Sequence, residues 1–367
     1  MIKEGTIGPQ GSLSIATLLL LTKVFYTNTS TVIKGAATAG WYVTLISVLT
    51  SLIFFQFVYM LLERFPGKSL SEIFDEVWGR FLGKLISIVF ISYFIFYAGS
   101  NLREFIEMIK TYNLPYTPPS IIIIVFLIPV AVISYLGLES LARISYIGFY
   151  FVLGSMFIIL LLDYPLYRLD SIFPLGGNGL KKNLFIGFTR NSAYNEMIIL
   201  AFFINSLKEL SYCKRASILG LIISGIAISA IILCSTMAFD YTMSTENFSN
   251  LFELSRAIYF GRFFQRLESI FLIVWVTASV ILVSAFFYAS LSIFCKSFNV
   301  NNHKPLIPSF LIILFVVTLL PENLSSVLSK STNFQRVYSS ILLYGIPIVT
   351  LIVAIIFKKK SKDLNNT

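Results

Sequence analysis

The residues that could do chemistry in this chain stand where an apolar run is interrupted. Within the first long apolar segment, Val24 to Thr31 includes Thr27, Asn28, Thr29 and Ser30 in succession. Within the sixth, Thr189 to Glu196 includes Thr189, Arg190, Asn191, Ser192 and Glu196. An unsatisfied polar group in hydrocarbon costs several kcal/mol, so both runs must face protein or a water-filled cavity. If each run breaks a membrane helix, the freed backbone groups can hold a small solute between them. A half-helix N-terminus beginning near Thr27 would offer unpaired N–H donors and partial positive charge to a carboxylate. No Gly lies in the first run, so Ser, Thr and Asn side chains must hold such a break by bonding to the backbone. The alternative is two continuous helices whose polar stripes bond to neighbouring helices.

Three charges fall at membrane depth: Lys23, Arg190 and Glu196. Ionisable groups there are costly and usually functional. Arg190 and Glu196 are six residues apart, about 600° of helical turn, so they meet only if the helix unwinds. Glu196 could hold a ligand's amino group, or a proton in place of a sodium ion. It could equally form a structural ion pair with Lys23 or Arg190. Lys23 needs a carboxylate, carbonyls or water, and a fixed ammonium there could stand where a sodium-coupled transporter binds its cation.

The elements that would position these groups follow from composition. Of 367 residues, 56% are hydrophobic and 13% charged, and 35 are Phe. Soluble domains carry about 25% charged residues, so this is a polytopic membrane protein with no visible soluble domain. A membrane helix needs about 20 apolar residues. Spans are predicted near 12–36, 41–62, 84–108, 120–137, 142–162, 184–206, 216–240, 266–295, 305–321 and 338–358. These ten segments form a single transmembrane domain over 1–367. Its halves, about 7–162 and 184–358, hold five spans each and are therefore inverted relative to one another.

The formal charge of +10 does not indicate nucleic acid, because the basic residues lie in loops, where they set topology and meet lipid head groups. With both termini on one side, Lys and Arg divide 15 against 11. The larger group includes Lys3 and the tail Lys358, Lys359, Lys360 and Lys362; the smaller includes Arg262 and Arg266. Both termini are therefore expected in the cytoplasm. The loop from Glu63 to Lys84 carries Ser69-Leu70-Ser71-Glu72, a capping box opening an amphipathic helix with Ile73, Phe74, Val77 and Trp78 on its apolar side. A further short helix is expected at Ser249–Phe260. The loop from Asp163 to Asn183 is expected to approach the second broken segment. Glu139 and Arg143 form a favourable four-residue helical pair.

Cys213, Cys234 and Cys295 show neither pairing nor metal spacing, and the single histidine, His303, lies in a loop. No phosphate loop, zinc spacing or Ser/His/Asp set is present, so no enzyme activity and no cofactor are expected.

Five pieces carry a family resemblance. They are Ala36-Ala37-Thr38-Ala39-Gly40-Trp41, Arg64-Phe65-Pro66-Gly67-Lys68-Ser69-Leu70, Leu114-Pro115-Tyr116-Thr117-Pro118, Gly137-Leu138-Glu139-Ser140-Leu141-Ala142-Arg143, and Arg266-Leu267-Glu268-Ser269-Ile270-Phe271 followed by Trp275. In order and spacing the chain resembles the B subunit of spore germination receptors (the GerAB type), in the amino acid–polyamine–organocation transporter superfamily. It departs from that pattern in lacking Gly or Pro in the first broken helix and an acidic residue before Trp41. The resemblance implies an all-α membrane protein of the LeuT/APC type, a 5+5 inverted repeat with discontinuous helices 1 and 6. It implies sensing of a small-molecule germinant, expected to be an amino acid, at the membrane midplane of the spore inner membrane. It also implies A-type and C-type receptor subunits as partners. By resemblance, Tyr93, Phe96 and Tyr97 of the third span and Trp275, Thr277 and Ser279 of the eighth would face the core. Tyr97 and Thr277 join the ligand-site candidates. A second reading is a secondary transporter of an amino acid or amine, and a third, suggested by the missing Gly and Pro, is a structural subunit whose pocket has decayed.

Overall fold

The computed structural model describes residues 5–261 and 268–360. Lys3, Arg262, Arg266, Lys362 and the Arg266-Leu267 start of the fifth sequence piece lie outside the described residues. The described chain is helical almost throughout. Seven of its helices are long and apolar enough to cross a membrane. Many residues facing outward are large and apolar, such as Ile147 (71% exposed) on Leu138–Leu162 and Ile312 (65%) on Ile307–Leu319. Serines such as Ser47, Ser51, Ser224 and Ser284 are buried instead. Apolar outside and polar inside is the pattern of a protein whose solvent is lipid, and this is an integral membrane protein.

The first segment runs as α1 (Pro9–Leu21) and a 3-10 turn (Thr22–Phe25), then α2 (Asn28–Ala36). The backbone leaves the helix at Tyr26, whose φ and ψ are −104° and −171°. α3 (Gly40–Arg64) follows. α4 (Leu70–Tyr112) opens with the expected capping box: the Ser69 N–H and hydroxyl both donate to Glu72 Oε2 at 2.7 Å. At Gly79, φ is 81° and ψ 161°, so an amphipathic helix turns there into the long span. A Cβ at Gly83 would lie 2.5 Å from the Asp75 Cα, so the two arms fold tightly on each other. α5 (Pro119–Leu136) and α6 (Leu138–Leu162) follow.

The second interrupted segment is α7 (Leu180–Thr189), a 3-10 stretch (Arg190–Ile198) and α8 (Ile199–Phe202). Such stretches rarely exceed 3–4 residues, and a run of nine inside a membrane segment marks a strained or hinged place. α9 (Leu210–Glu246), α10 (Asn250–Ala257), α11 (Glu268–Phe298) and α12 (Ile307–Leu319) come next. The last helix, α13 (Leu324–Ile356), contains two π-helical stretches, Val327–Thr332 and Ile341–Gly345. It starts fourteen residues before the predicted 338, because its first three turns are amphipathic and do not register as apolar.

At the end of the bundle carrying the N-terminus, the two interrupted segments are tied together. The Ile7 N–H donates to the Ser206 carbonyl at 2.8 Å, and Asn205 Nδ2 donates to Glu72 Oε2 at 2.9 Å. Arg64 donates to the Ala354 and Lys359 carbonyls, closing α3 onto the end of α13. At the opposite end the loop after α6 meets the second interrupted segment, where Asn183 Nδ2 of α7 donates to the Gly176 carbonyl at 2.8 Å. The loop also docks over the junction of α2 and α3: Asn178 Nδ2 donates to the Gly35 carbonyl at 2.8 Å, and Thr38 donates to the Pro174 carbonyl.

Candidate functional site

A cavity of about 290 Å³ lies between the two interrupted segments, α4 and α13. Of the sequence candidates, Lys23, Thr27, Asn28, Tyr97, Thr189, Arg190, Ser192 and Glu196 line it. Thr189 is exposed and stands at its rim. Tyr26, Asn101, Glu104, Gln335, Arg336 and Ser339 line it as well, and the sequence reading did not place them there.

The first break is held from within. The Thr27 carbonyl accepts from Ser30 Oγ at 3.0 Å and Thr31 Oγ1 at 2.8 Å, as well as from the Thr31 N–H at 3.1 Å. Side-chain hydroxyls thus do here what a Gly or Pro break does by its backbone. At the opened N-terminus of α2, the Thr27 N–H and hydroxyl both donate to Glu104 Oε1, at 3.1 and 2.7 Å. A carboxylate does sit where an anion was expected, but it belongs to α4.

The second break is held by its neighbours. Ser51 Oγ donates to the Asn191 carbonyl at 3.2 Å, Ser340 Oγ to Asn191 Oδ1 at 2.5 Å, and Asn195 Nδ2 to Ser339 Oγ at 2.9 Å. Across the two breaks, Lys23 Nζ reaches both oxygens of Glu196, at 2.8 and 2.9 Å. Tyr97 Oη donates to Glu196 Oε1 at 2.6 Å. All three side chains are buried. Of the two readings left open for Glu196, the geometry has it engaged with Lys23. Its carboxylate is already satisfied, so a ligand's amino group does not find it free. Arg190 makes no ion pair with Glu196; its Nη2 donates to Asn28 Oδ1 at 2.5 Å.

Four candidates lie away from the cavity. Thr29 is two residues past Thr27, about 200° around the helix, and accepts from Asn250 Nδ2 at 3.3 Å. Ser30 is spent on the Thr27 carbonyl. Asn191 is turned toward α3 and α13. Thr277 bonds back to the Ile273 carbonyl at 2.8 Å, and its methyl lies near Gly148 of α6. On α11 it is Ser279, again about 200° away, that points inward, 2.9 Å from Tyr26 Oη. Trp275 is fully buried, edge-on to the Tyr26 ring, and Phe96 packs against Phe334; both are packing residues.

Beneath the cavity, toward the N-terminal end, Tyr97, Phe94, Phe90, Phe202 and Phe286 form a packed aromatic cluster. The Tyr97 and Phe286 rings are 4.3 Å apart and Phe90 and Phe202 5.1 Å. Among the described residues no group of three or more His, Cys, Asp or Glu is placed to hold a metal ion.

One of the missed residues carried a signal and another did not. Glu104 lies inside the predicted span 84–108, where an acid is expensive and demands a partner. Arg336 fell outside its predicted span only because α13 begins on a polar face.

Two solved structures are similar to this chain in shape. MhsT in complex with L-phenylalanine superposes with a TM-score of 0.71 at 12% identity, over 97% of this chain and 91% of MhsT. Mhp1, a nucleobase-cation-symport-1 family transporter closed around bromovinylhydantoin, gives 0.65 at 14% identity, over 94% and 78%. At such identities the likeness concerns the fold. In sequence, the chain is 25% identical to spore germination protein KB of Bacillus subtilis over 364 residues, 96% of both chains. It is 24% identical to spore germination protein YndE of the same organism over 323 residues, 86% of both chains. The sequence profile of the family described as spore germination protein matches residues 12–327. That span is most of the chain, and the protein belongs to the spore germination protein family.

Proposed function

We propose that this chain is the B-type subunit of a nutrient germinant receptor and binds a small solute, an amino acid by class, between its two interrupted segments. The observation that carries the reading is the cavity itself. Both breaks border it, and it is lined by charged and hydroxyl groups that lipid could not satisfy. At about 290 Å³ it sits at the small end of ligand pockets, which run to roughly 1,000 Å³. MhsT, of like fold, holds L-phenylalanine. Family membership favours germination over nutrition as the purpose of binding.

In this reading the chain has ten spans in two inverted halves of five, the first and sixth discontinuous, with both termini in the cytoplasm and the spore inner membrane as its location. Ligand binding favours one arrangement of the interrupted segments over another, by no more than its difference in affinity for the two. A-type and C-type subunits receive that change. The Lys23 ammonium, fixed by Glu196 at the first break, stands in place of a coupling cation. Spores lacking this chain are the test: they lose the response to one nutrient class while uptake of that nutrient by vegetative cells is unchanged.

Mhp1, a transporter of like fold, and MhsT, which holds L-phenylalanine, favour a second reading, secondary transport of an amino acid or amine. Labelled-solute accumulation in vesicles containing this chain alone would decide for it.

A further inference from the structure

The cavity's own partners restrict what it can take; the inference that follows rests on the reading of this cavity as a ligand site. The N-terminus of α2, the usual seat for an anionic group, is filled by Glu104. Glu196 is held by Lys23 and Tyr97. The remaining charges are Arg190 and Arg336, both facing the cavity. Their polar partners are neutral: Arg190 Nη2 donates to Asn28 Oδ1, and Arg336 Nη2 to Thr31 Oγ1 at 2.9 Å. Among the described residues neither makes an ion pair with a carboxylate within 4.0 Å. They stand close enough for their like charges to oppose each other, and Arg336 also feels the charge of Glu104. Two further cavity-lining amides, Asn28 Nδ2 and Gln335 Nε2, are buried donors with no acceptor. One wall therefore gathers four donor groups without a carboxylate partner, two of them permanent cations in a medium of low dielectric. Such a wall is unfavourable until an anion with several acceptor oxygens meets it. Glu104 keeps a complementary feature. Both bonds from Thr27 go to Oε1, and among the described residues no hydrogen bond reaches Oε2.

We propose that Arg190 and Arg336, with Asn28 and Gln335 beside them, capture the carboxylate of a small zwitterionic ligand, and that Glu104 bars that carboxylate from α2 and receives the ligand's ammonium. The guanidinium forks match a carboxylate with paired hydrogen bonds. Thr27 and the α2 N-terminus then position Glu104 and do not touch the ligand's acid.

The full chain in lipid nanodiscs, titrated with L-2-aminobutyrate, butyrate and butylamine, separates the alternatives. Aminobutyrate is expected to bind best, butyrate more weakly and butylamine not at all. Arg190→Gln and Arg336→Gln should each weaken aminobutyrate and butyrate at least tenfold. Glu104→Gln should weaken aminobutyrate at least tenfold and leave butyrate unchanged or tighter. Should a Gln variant not fold, the charge-retaining Arg336→Lys is read in its place, with an expected weakening of butyrate of at least threefold. Affinities indifferent to both Arg substitutions, butylamine binding best, or no binding by any of the three probes would each overturn the proposal. Butyrate binding that depends on Arg336, in a chain whose deletion leaves spore germination intact, would overturn the receptor role and leave the ligand class standing.

Discussion

The Lys23–Glu196 pair offers the sharpest test of how this core is held together. The two side chains are 9% and 3% exposed and meet through two contacts under 3 Å, with Tyr97 as a third member. Removing one member of a buried pair strands the other, at a cost of about 3–5 kcal/mol. Lys23→Met does this fully: Glu196 keeps only the Tyr97 hydroxyl. Glu196→Gln is milder, because the amide oxygen still accepts from Lys23 and Tyr97. In the double variant no charge remains, and the Gln oxygen still satisfies Tyr97. Its loss should fall to about 1–2 kcal/mol, smaller than that of Lys23→Met alone, since a neutral replacement of a buried pair is often near neutral. With the smaller loss from Glu196→Gln added, the cycle should show a coupling of at least about 2–3 kcal/mol. Reversible unfolding of the four proteins in mixed micelles measures it. Losses that simply add would refute the argument that desolvated charge, and not packing, dominates this contact.

Three further outcomes follow from the same structure. Thr27→Val removes the hydroxyl that donates to Glu104 and should cost about 1.5–3 kcal/mol, the range for hydrogen bonds to charged groups, read in the same unfolding assay. If Lys23 takes the place of a coupling cation, as proposed, the nutrient response of spores should be the same in sodium and in choline buffers; a saturable sodium requirement would end that assignment. Asp163, at the end of α6, is buried with neither carboxylate oxygen partnered among the described residues, and burial pushes its carboxyl up from 3.8 to about 7. The folded state thus holds this proton more tightly than the unfolded one, so stability is greatest below the unfolded value, falls as pH rises from about 3.8 to 7, and is level above. Asp163→Asn should remove that part of the slope and stabilise the protein at pH 8, as unfolding at pH 5 and pH 8 would show.

Much of the architecture was legible in the chain because lipid is a demanding solvent. Long apolar runs had to be membrane helices, Ser69 and Glu72 had to open one, and polar runs at 27–31 and 189–196 had to find partners inside. What the hydropathy pattern missed was amphipathic. The first turns of α13 turn apolar residues outward and Gln335, Arg336 and Ser339 inward, so the run reads as polar and hydropathy alone starts the helix later. Thr29, Asn191 and Thr277 were plausible by type but lie on the wrong side of their helices, which only the rotation of each helix about its axis decides.

The sequence by itself determined that this is a membrane protein whose apolar segments are entered by two polar runs with costly charges, and it left open whether those runs break their helices. That much follows from counting apolar residues and noting where polar ones intrude, since each helix must satisfy its own backbone. Which charge meets which was decided by tertiary structure alone. Lys23 and Glu196 are 173 positions apart, and Thr27 and Glu104 are 77. Pairing over such separations depends on how helices cross and rotate against one another, and packing of the whole bundle sets both.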